Sequence, residues 1–247
     1  MLAPHESFET PDSSTVIWRY MGLEKFLDLL TTSKLWFSRC DCFEDKWEGH
    51  FSPATKDEIF RKYNGTDESK EQYWQRWCRI IHQVKKRLFV NCWHISKDES
   101  PALWRLYSLS DKCVAIQTTV HQLRNALLDS PHEVYAGRVS YLDYKNDPID
   151  LGNVFNVFLR KRLCFDYEKE MRLVYWDSLR DENALDQVDD EGFRIDVKLE
   201  NLLQNVYVSP YASNHLQNSI DFLVKKIGLS RVSVLKSEVL DGPFSVG

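Results

Sequence analysis

Two carboxylates and several basic side chains lie close together in residues 161–176, KRLCFDYEKEMRLVYW. From Glu168 onward the residues alternate as in a β-strand, so Glu168, Glu170 and Arg172 are expected on one face. The opposite face, which carries Met171, is mostly apolar and suits a core. A face with two carboxylates and a guanidinium indicates either a solvated sheet surface or a cleft for a cationic or polar ligand.

Polar groups also interrupt other segments where a core would prefer apolar residues. Arg19 lies inside the apolar run VIWRYM, where it either extends to the sheet edge or points into a cleft. Three carboxylates flank a tryptophan near residue 47, which is typical of a turn with solvated charges or of a binding site. Trp104 and Tyr107 would share one helix face, with core packing as the alternative role. The full set of polar and aromatic candidates is Arg19, Tyr20, Phe37, Ser38, Glu44, Asp45, Glu48, Trp93, Trp104, Tyr107 and Lys161.

The common catalytic and nucleotide-binding motifs are absent from the sequence. There is no G-x-G-x-x-G, no P-loop, no G-x-S-x-G and no H-E-x-x-H. Cys40 and Cys42 form a C-x-C pair without a second close pair, so we assign no metal site. Cys92 lies two residues from His94 and is a candidate nucleophile, although buried cysteines are normally inert.

Composition places the chain among ordinary globular proteins. It has 247 residues, 43% hydrophobic and 28% charged residues, and a net charge of −5. That charge argues against a wholly basic nucleic-acid surface, although it leaves room for a local basic patch. No apolar run approaches the length of a membrane span, and the polar N-terminus lacks the apolar region of a secretory signal. The six scattered cysteines suit buried thiols, so we expect a cytoplasmic protein.

The hydrophobic pattern predicts an α+β fold with a mixed, largely antiparallel sheet and helices packed around it. Predicted strands cover 16–21, 35–39, 87–96, 113–119, 135–144, 168–176, 193–197, 205–210 and 232–238. Predicted helices cover 23–34, two pieces of 54–87, a short helix within 97–108 that begins at Pro101 after the Ser100 cap, 120–130, 154–163, 199–204 and 214–228. An acidic loop is predicted over 177–192. We expect a flexible arm over residues 1–14 and a single domain over 15–247, with 50–87 as a helical insertion.

The order of these motifs resembles the bacterial family called domain of unknown function 2971. The chain shows RYM, KLWFSR, FEDKWEG, VNCWHIS, SPALWRLY and finally YEKEMRL, in the succession typical of that family. The resemblance covers residues 16 to 240, although Lys46 and Leu103 stand where the pattern has Pro and Met. The family carries no established activity, so the resemblance implies a fold-wide pattern and little function.

A second similarity of layout is to ADP-ribosyltransferases. In that superfamily a first-strand Arg or His binds NAD, a second-strand Ser or aromatic residue supports the nicotinamide site, and a late Glu is catalytic. The resemblance implies that Arg19 binds NAD, that Ser38 lies by the nicotinamide, and that Glu170 is the catalytic carboxylate beside Glu168. The implied catalytic residues are Glu170, Glu168 and Arg172, and the implied NAD-binding residues are Arg19, Tyr20, Phe37, Ser38, Trp93, Trp104 and Tyr107.

Three functional hypotheses follow. The first is a nucleotide-using transferase that acts as a toxin or anti-phage effector, with NAD as co-substrate and a partner protein from the same operon. The second is a metal-dependent nuclease or hydrolase, because Mg²⁺ prefers carboxylate oxygens. Its candidate residues are Glu44, Asp45 and Glu48 together with Glu168, Glu170 and Lys161. The third is a non-catalytic binding module in which Arg172 or Arg19 forms salt bridges with the glutamate pair.

Overall fold

Most apolar runs of the sequence become strands of one large sheet. A computed structural model describes residues 1–65, 68–107, 112–178 and 191–242. The strands are β1 Leu2–Ala3, β2 Val16–Gly22, β3 Lys34–Arg39, β4 Leu88–Ile95, β5 Cys113–Thr119, β6 Val134–Arg138, β7 Ser140–Leu142, β8 Arg160–Arg162, β9 Glu170–Trp176, β10 Gly192–Asp196, β11 Asn205–Val208 and β12 Ser233–Lys236. The α-helices are α1 Leu23–Thr32, α2 Pro53–Lys62, α3 Lys70–Lys85, α4 Pro101–Tyr107, α5 Val120–Ala126, α6 Leu199–Leu202 and α7 Asn214–Lys226. Three 3₁₀ helices cover Cys40–Cys42, Val154–Leu159 and Leu163–Glu168.

The main sheet is mixed and mostly antiparallel. Its order is β1-β6-β9-β4-β2-β5-β11-β12, and β3 and β10 branch from β4. Only the outer pairs β1–β6 and β11–β12 of this sheet are parallel among the described residues. Strands β7 and β8 form a separate parallel pair. The predicted α+β class, with a mixed and largely antiparallel sheet, is confirmed.

Strand β4 changes partner along its length, and this change splits the sheet. Its first half pairs with β3 through Val90 and Ser38, and its last residues pair with β2 through His94 and Trp18. Between these contacts, side chains rather than a strand occupy the edge of β4. The Asn91 amide donates to the Trp36 carbonyl, and Arg19 donates to the Cys92 carbonyl at 2.8 Å. The split leaves room for a cleft between β2 and β3.

The two faces of the sheet bury different clusters. Met171 and Leu173 of β9 belong to the larger apolar core, as the alternation in the sequence predicts. Val174 and Val90, on the opposite face, belong to a second and smaller core. Glu170 and Arg172 share that second face and lie next to the apolar cluster rather than in solvent. This placement favours the cleft over the solvated surface that the sequence left open.

The helices form where local capping supports the apolar stripes. The Ser69 side chain and Gln72 form a reciprocal capping box at the start of α3, and the Ser52 hydroxyl accepts from the Thr55 N–H at the start of α2. Both helices lie within the predicted insertion 50–87. No helix of the described chain combines the length and apolar character that crossing a membrane needs.

The first fourteen residues contact the rest of the fold. Strand β1 pairs with β6, and Phe8 is 7% exposed within the second apolar core. Contacts do not measure mobility, so the flexible arm stays a prediction, as does the division into one domain with an insertion. The predicted acidic loop lies mostly in 179–190, outside the described residues.

Two predicted elements near the candidate site were wrong. Residues 154–163 form a 3₁₀ helix followed by β8 rather than one helix, and residues 155–159 are all buried. An all-buried segment has no amphipathic stripe, so its apolar run does not specify the helix type. The predicted strand starts at Glu170 rather than Glu168, because Lys169 adopts φ 40 and separates it from a 3₁₀ helix.

Candidate functional site

A cleft of about 670 Å³ lies at the split in the sheet. Strands β2, β3, β4 and β9 form its floor, and α4, the 43–48 loop and the 163–168 helix form its walls. Most predicted site residues line it: Arg19, Tyr20, Ser38, Glu44, Asp45, Glu48, Trp93, Tyr107, Lys161, Glu168, Glu170 and Arg172. Residues far apart in the sequence therefore meet at one place.

Two predicted contact residues do not line the cleft. Phe37 alternates with Ser38 along β3, so its ring faces the larger core and is fully buried. Trp104 is also fully buried, stacks edge-on against Tyr20, and donates its ring N–H to Glu99. Phe37 and Trp104 therefore lie in the core behind the cleft and not at its surface, where direct contact with NAD was predicted.

Arg172 is the buried centre of one end of the cleft. Its Nε donates to Glu170 Oε1 at 2.8 Å, and its Nη2 donates to Glu48 Oε2 at 2.6 Å. Its Nη1 donates to the Phe158 carbonyl at 2.7 Å. The side chain is 1% exposed, so these partners replace the water that a guanidinium would otherwise need. Arg172 therefore fixes the two carboxylates and joins β9 to the 43–48 loop.

Lys161 connects the same carboxylates to a third. Its Nζ lies 2.9 Å from Glu48 Oε1, 2.5 Å from Glu168 Oε2 and 3.5 Å from Glu170 Oε2. Gly49 follows Glu48 in the loop, where it adopts φ +64 and a Cβ would lie 2.6 Å from Lys85 Cε. Three carboxylates and two cations make an acidic cluster with one net negative charge. We call these five residues the ion cluster: Glu48, Lys161, Glu168, Glu170 and Arg172.

The ion cluster shifts the pKa values of Glu168 and Glu170 in opposite directions. Burial alone would raise the pKa of Glu170, but Arg172 and Lys161 lower it to about 2. Burial raises the pKa of Glu168, and Lys161 opposes this only in part. Burial alone would lower the pKa of Lys161, but Glu170 and Glu48 raise it. Glu170 is therefore a permanent anion at neutral pH, and Glu168 is the more basic carboxylate.

Arg19 lies at the other end of the cleft and has few partners. Its Nη1 donates to the Cys92 carbonyl at 2.8 Å, and its guanidinium lies 6.0 Å from the Trp93 ring centroid. Within the described ranges no carboxylate lies at ion-pair distance from Arg19. Burial lowers the pKa of its guanidinium, which nevertheless stays charged. A half-buried cation that uses one of its donors among the described residues is suited to an anionic ligand.

Aromatic rings border the Arg19 end. Tyr20 stacks on Tyr107 with ring centroids 6.4 Å apart, and its hydroxyl accepts from the Ser100 N–H. Tyr107 is 45% exposed and so remains accessible from the cleft. The Ser38 hydroxyl faces the cleft and has no hydrogen bond to any described residue. This end combines rings, a cation and a free hydroxyl, which together suit a planar, charged ligand.

The geometry speaks against Cys92 as a nucleophile. Burial raises the pKa of its thiol, the nearby Glu170 carboxylate raises it further, and the thiol hydrogen-bonds to that carboxylate. The Nδ1 atom of His94 lies 2.6 Å from the Glu168 carbonyl, and burial lowers the pKa of this imidazole. Cys92 thus lacks the thiolate character that nucleophilic catalysis needs.

The carboxylates also do not form a metal centre in the described chain. None of the His, Cys, Asp and Glu groupings found there could hold a metal ion. The ammonium of Lys161 already lies between the oxygens of Glu48, Glu168 and Glu170. Glu44 is exposed, and Asp45 accepts from Arg162 at 3.0 Å. The metal-dependent hydrolase stays a prediction.

Several cleft residues were not predicted. Phe165 lies under Lys161 with 4.9 Å between the ammonium and the ring, and Tyr167 lies at the rim. The Tyr141 hydroxyl accepts from the Glu170 N–H at 2.8 Å and so fixes the start of β9. Phe165 and Tyr167 stand in the stretch KRLCFDYEKE, where the residue types were visible but the 3₁₀ helix that turns them to the cleft was not.

Two solved structures of Thermus sp. 2.9 DarT are similar to most of the chain. The complex with NAD⁺ covers 93% of this chain and 98% of that chain, at 8% identity and a TM-score of 0.41. The complex with carba-NAD⁺ covers 92% and 96%, at 10% identity and a TM-score of 0.38. No family model and no curated protein matches the sequence. TM-scores below 0.5 do not establish a shared fold, and the resemblance to domain of unknown function 2971 stays a prediction.

Proposed function

We propose that the protein is an NAD⁺-using transferase of the ADP-ribosyltransferase type. The observation that carries the proposal is convergence: Arg19, Ser38 and Glu170 come from three strands and line one cleft. The layout resemblance named these three residues from sequence alone, on segments 19 and 132 residues apart. Polar residues that only stabilise the sheet need not line the same concave surface.

The cleft suits a dinucleotide in size and charge. Its volume of about 670 Å³ is within the range of small-molecule sites, which extends to roughly 1,000 Å³. The unpaired donors of Arg19 would bind the pyrophosphate, because a guanidinium matches phosphate oxygens in a fork geometry. Ser38 and the ring of Tyr107 would contact the nicotinamide end, whereas the Trp93 ring is 1% exposed and packs in the larger core behind them.

The ion cluster suits the charge that develops in such a transfer. When nicotinamide leaves, the ribose acquires oxocarbenium character at C1′, and a fixed negative charge nearby stabilises it. The cluster carries one net negative charge, and Arg172 holds Glu170 in place before substrate binds. Such preorganisation is worth more in a water-poor site than in bulk solvent.

The direct test is turnover of labelled NAD⁺ by the wild type and by Glu170→Gln. We expect wild-type release of nicotinamide, and a loss of about 10²- to 10⁴-fold in Glu170→Gln. Glu200→Gln is the matched control, because Glu200 is exposed on α6, away from the cleft, and should retain full activity. Absence of both NAD⁺ binding and turnover in the folded wild type would contradict the proposal.

The proposal includes a role as a toxin or anti-phage effector in the cytoplasm, with a partner protein that neutralises it. Induced expression of the wild type in bacterial cells should then arrest growth and deplete NAD⁺, whereas Glu170→Gln should permit growth. Equal growth of both strains at equal protein levels would remove the toxin role and leave the biochemical proposal to the assay of purified protein.

A non-catalytic binding module is the second candidate, and one observation favours it. The Arg172–Glu170 salt bridge, which that hypothesis anticipates, is present and fully buried. On this alternative the wild type binds a ligand without consuming it. Glu170→Ala lowers the melting temperature on either candidate, because it removes one partner of a buried salt bridge. A single ligand-bound wild-type sample that is monitored for nicotinamide release separates the two candidates.

A further inference from the structure

A second and smaller cavity, of about 330 Å³, lies between α1, β2 and β3. Its apolar floor consists of Met21, Leu29 and Leu35, which belong to the larger core. Its rim on β3 and β10 carries Trp36 and Arg194, and the guanidinium carbon lies 5.0 Å from the ring centroid. We call this space the α1 cavity. Its volume is at the lower end of the range for small-molecule sites, which begins at roughly 300 Å³, so it suits one ring system rather than a dinucleotide.

Arg19 lies between the α1 cavity and the cleft and lines both. On β2 it alternates with Ile17 and Met21, which belong to the larger core together with residues of α1, so its side chain starts on the α1 face of the sheet. Its guanidinium then extends into the split, where Nη1 donates to the Cys92 carbonyl at 2.8 Å. Lys25 lines both spaces as well. The two spaces therefore share cations, and a ligand in one acts on residues of the other.

The charges around the α1 cavity leave an excess of cations. Four cations and two carboxylates line it: Arg19, Lys25, Lys34, Arg194, Glu24 and Asp28. Arg194 and Asp28 pair with each other, with Nη2 at 3.3 Å from Oδ1. Arg19 and Lys25 form no ion pair with any residue that the structure describes. An apolar floor, an indole at the rim and two available cations together suit an aromatic ring that carries one anionic group.

We propose that the α1 cavity binds a small aromatic carboxylate and that this ligand weakens binding of the nucleotide in the cleft. The ring packs on the apolar floor beside Trp36, and the carboxylate pairs with Arg19 and Lys25. This site is separate from the one that we assign to the nicotinamide end, which lies beside Ser38 and Tyr107. Binding of the aromatic acid does not depend on the proposed function, whereas its effect on the nucleotide rests on that function.

The shared guanidinium is the reason for the coupling between the two sites. Nη1 of Arg19 already donates to the Cys92 carbonyl, so the fork formed by Nε and Nη2 is what remains for an anion. A carboxylate in the α1 cavity and a pyrophosphate in the cleft approach this fork from opposite sides, and it serves one bidentate partner at a time. Because such coupling is reciprocal, each ligand lowers the affinity of the other by the same factor, which we expect to be about fivefold or more.

Calorimetric titration of the full chain tests the proposal without any enzyme activity. Indole-3-acetate is the probe, because it combines one bicyclic ring with one carboxylate. We expect it to bind at one site, and we expect ADP-ribose to bind about fivefold or more weakly when the probe is saturating. The reverse titration should give the same factor. Absence of probe binding at about 10 mM, or an ADP-ribose affinity that the saturating probe leaves unchanged, would overturn the proposal.

Variants at the α1 cavity show whether its ligand is distinct from the nucleotide. Leu29→Trp fills the cavity and should abolish probe binding, with the ADP-ribose affinity within about twofold of wild type. Because a larger side chain can disturb the core, Arg194→Gln at the exposed rim is the second variant, and it should weaken the probe about 3- to 10-fold. Arg231→Gln is the matched control, because Arg231 is exposed and lines neither space, and it should bind both ligands as the wild type does.

Two further outcomes separate this proposal from the proposed function. If Leu29→Trp or Arg194→Gln weakened ADP-ribose as much as the probe, the nucleotide itself would occupy the α1 cavity, and the separate site would be overturned. Absence of ADP-ribose binding in the folded wild type would instead contradict the proposed function. The probe titrations of the wild type, Leu29→Trp and Arg194→Gln would then still decide whether the α1 cavity binds aromatic acids.

Discussion

Arg19 and Arg172 line the same cleft but differ in how many hydrogen bonds their guanidiniums donate. Arg172 donates four hydrogen bonds, to Glu170, Glu48 and the Phe158 carbonyl. Arg19 donates to one backbone carbonyl, at Cys92. Both guanidiniums are largely removed from water. The cost of burying the charge is offset at Arg172 by its hydrogen bonds and salt bridges, whereas at Arg19 it is mostly not offset.

The difference separates positioning from binding. Among the residues that the structure describes, every charged group of the ion cluster has a partner and only Oε1 of Glu168 lacks one, so this end holds its geometry without a ligand. At the Arg19 end the unpaired donors and the free Ser38 hydroxyl would be completed by a ligand. Changes at the first end should therefore lower stability, and changes at the second should lower affinity.

Replacing Arg172 should produce the largest effect. Arg172→Met removes the common partner of Glu170 and Glu48, and leaves two buried carboxylates to share Lys161. We expect a loss of about 3–5 kcal/mol in the free energy of unfolding, measured by urea denaturation at pH 7. Arg19→Met is the matched comparison and should change stability by about 1 kcal/mol or less. Equal losses in the two variants would break the comparison.

Acid should weaken the Arg172 end in a defined pH window. The pKa of Glu170 falls from 4.5 to about 2 on folding, so its contribution is complete above pH 4.5 and is lost as the pH falls toward 2. The expected loss is on the order of 3 kcal/mol, seen in unfolding free energies measured across this range. Glu170→Gln should flatten this part of the curve. Glu168→Gln should leave the acid loss in place, because the pKa of Glu168 shifts upward on folding.

The sequence predicted which face of β9 carries Glu170 and Arg172 better than it predicted which residues contact them. The alternation of β9 placed Glu170 and Arg172 on one face and Met171 and Leu173 in a core, and the structure has both arrangements. Such placement follows from the two-residue period of a strand and needs no tertiary information. The salt bridge between Glu170 and Arg172 was one of the alternatives that the sequence left open.

Other features depend on contacts between distant segments and were beyond the sequence pattern. The sequence grouped Glu48 and Lys161 with Glu168 and Glu170 only in the metal-dependent hypothesis, and nothing in their spacing shows that they form salt bridges with Arg172 and Glu168. The left-handed turn at Lys169 was missed, because lysine rarely adopts a positive φ. Phe37 was misplaced for a local reason, since a residue next to Ser38 in a strand must face the other side.

The Arg19 end should respond in affinity. Arg19→Gln removes the charge that we assign to the pyrophosphate, and we expect ADP-ribose to bind about 10- to 100-fold more weakly by isothermal titration calorimetry. Arg19→Lys keeps the charge and loses the fork, so its affinity should be intermediate. Unchanged ADP-ribose affinity in Arg19→Gln, with wild-type stability, would show that this guanidinium does not bind the donor.

Ser38 gives the smallest and most specific effect. Its hydroxyl has no hydrogen-bond partner among the residues that the structure describes, so Ser38→Ala should change the unfolding free energy by less than about 0.5 kcal/mol. Affinity for NAD⁺ should fall about 3- to 10-fold, as expected for the loss of one neutral hydrogen bond. Ser52→Ala is the reciprocal control, because the Ser52 hydroxyl caps α2 and bonds to Thr55 away from the cleft. That variant should lose about 1 kcal/mol of stability and keep its affinity. If Ser38→Ala instead behaved like Ser52→Ala, the hydroxyl at the Arg19 end would be structural, and the contrast between the two ends of the cleft would be confined to the two arginines.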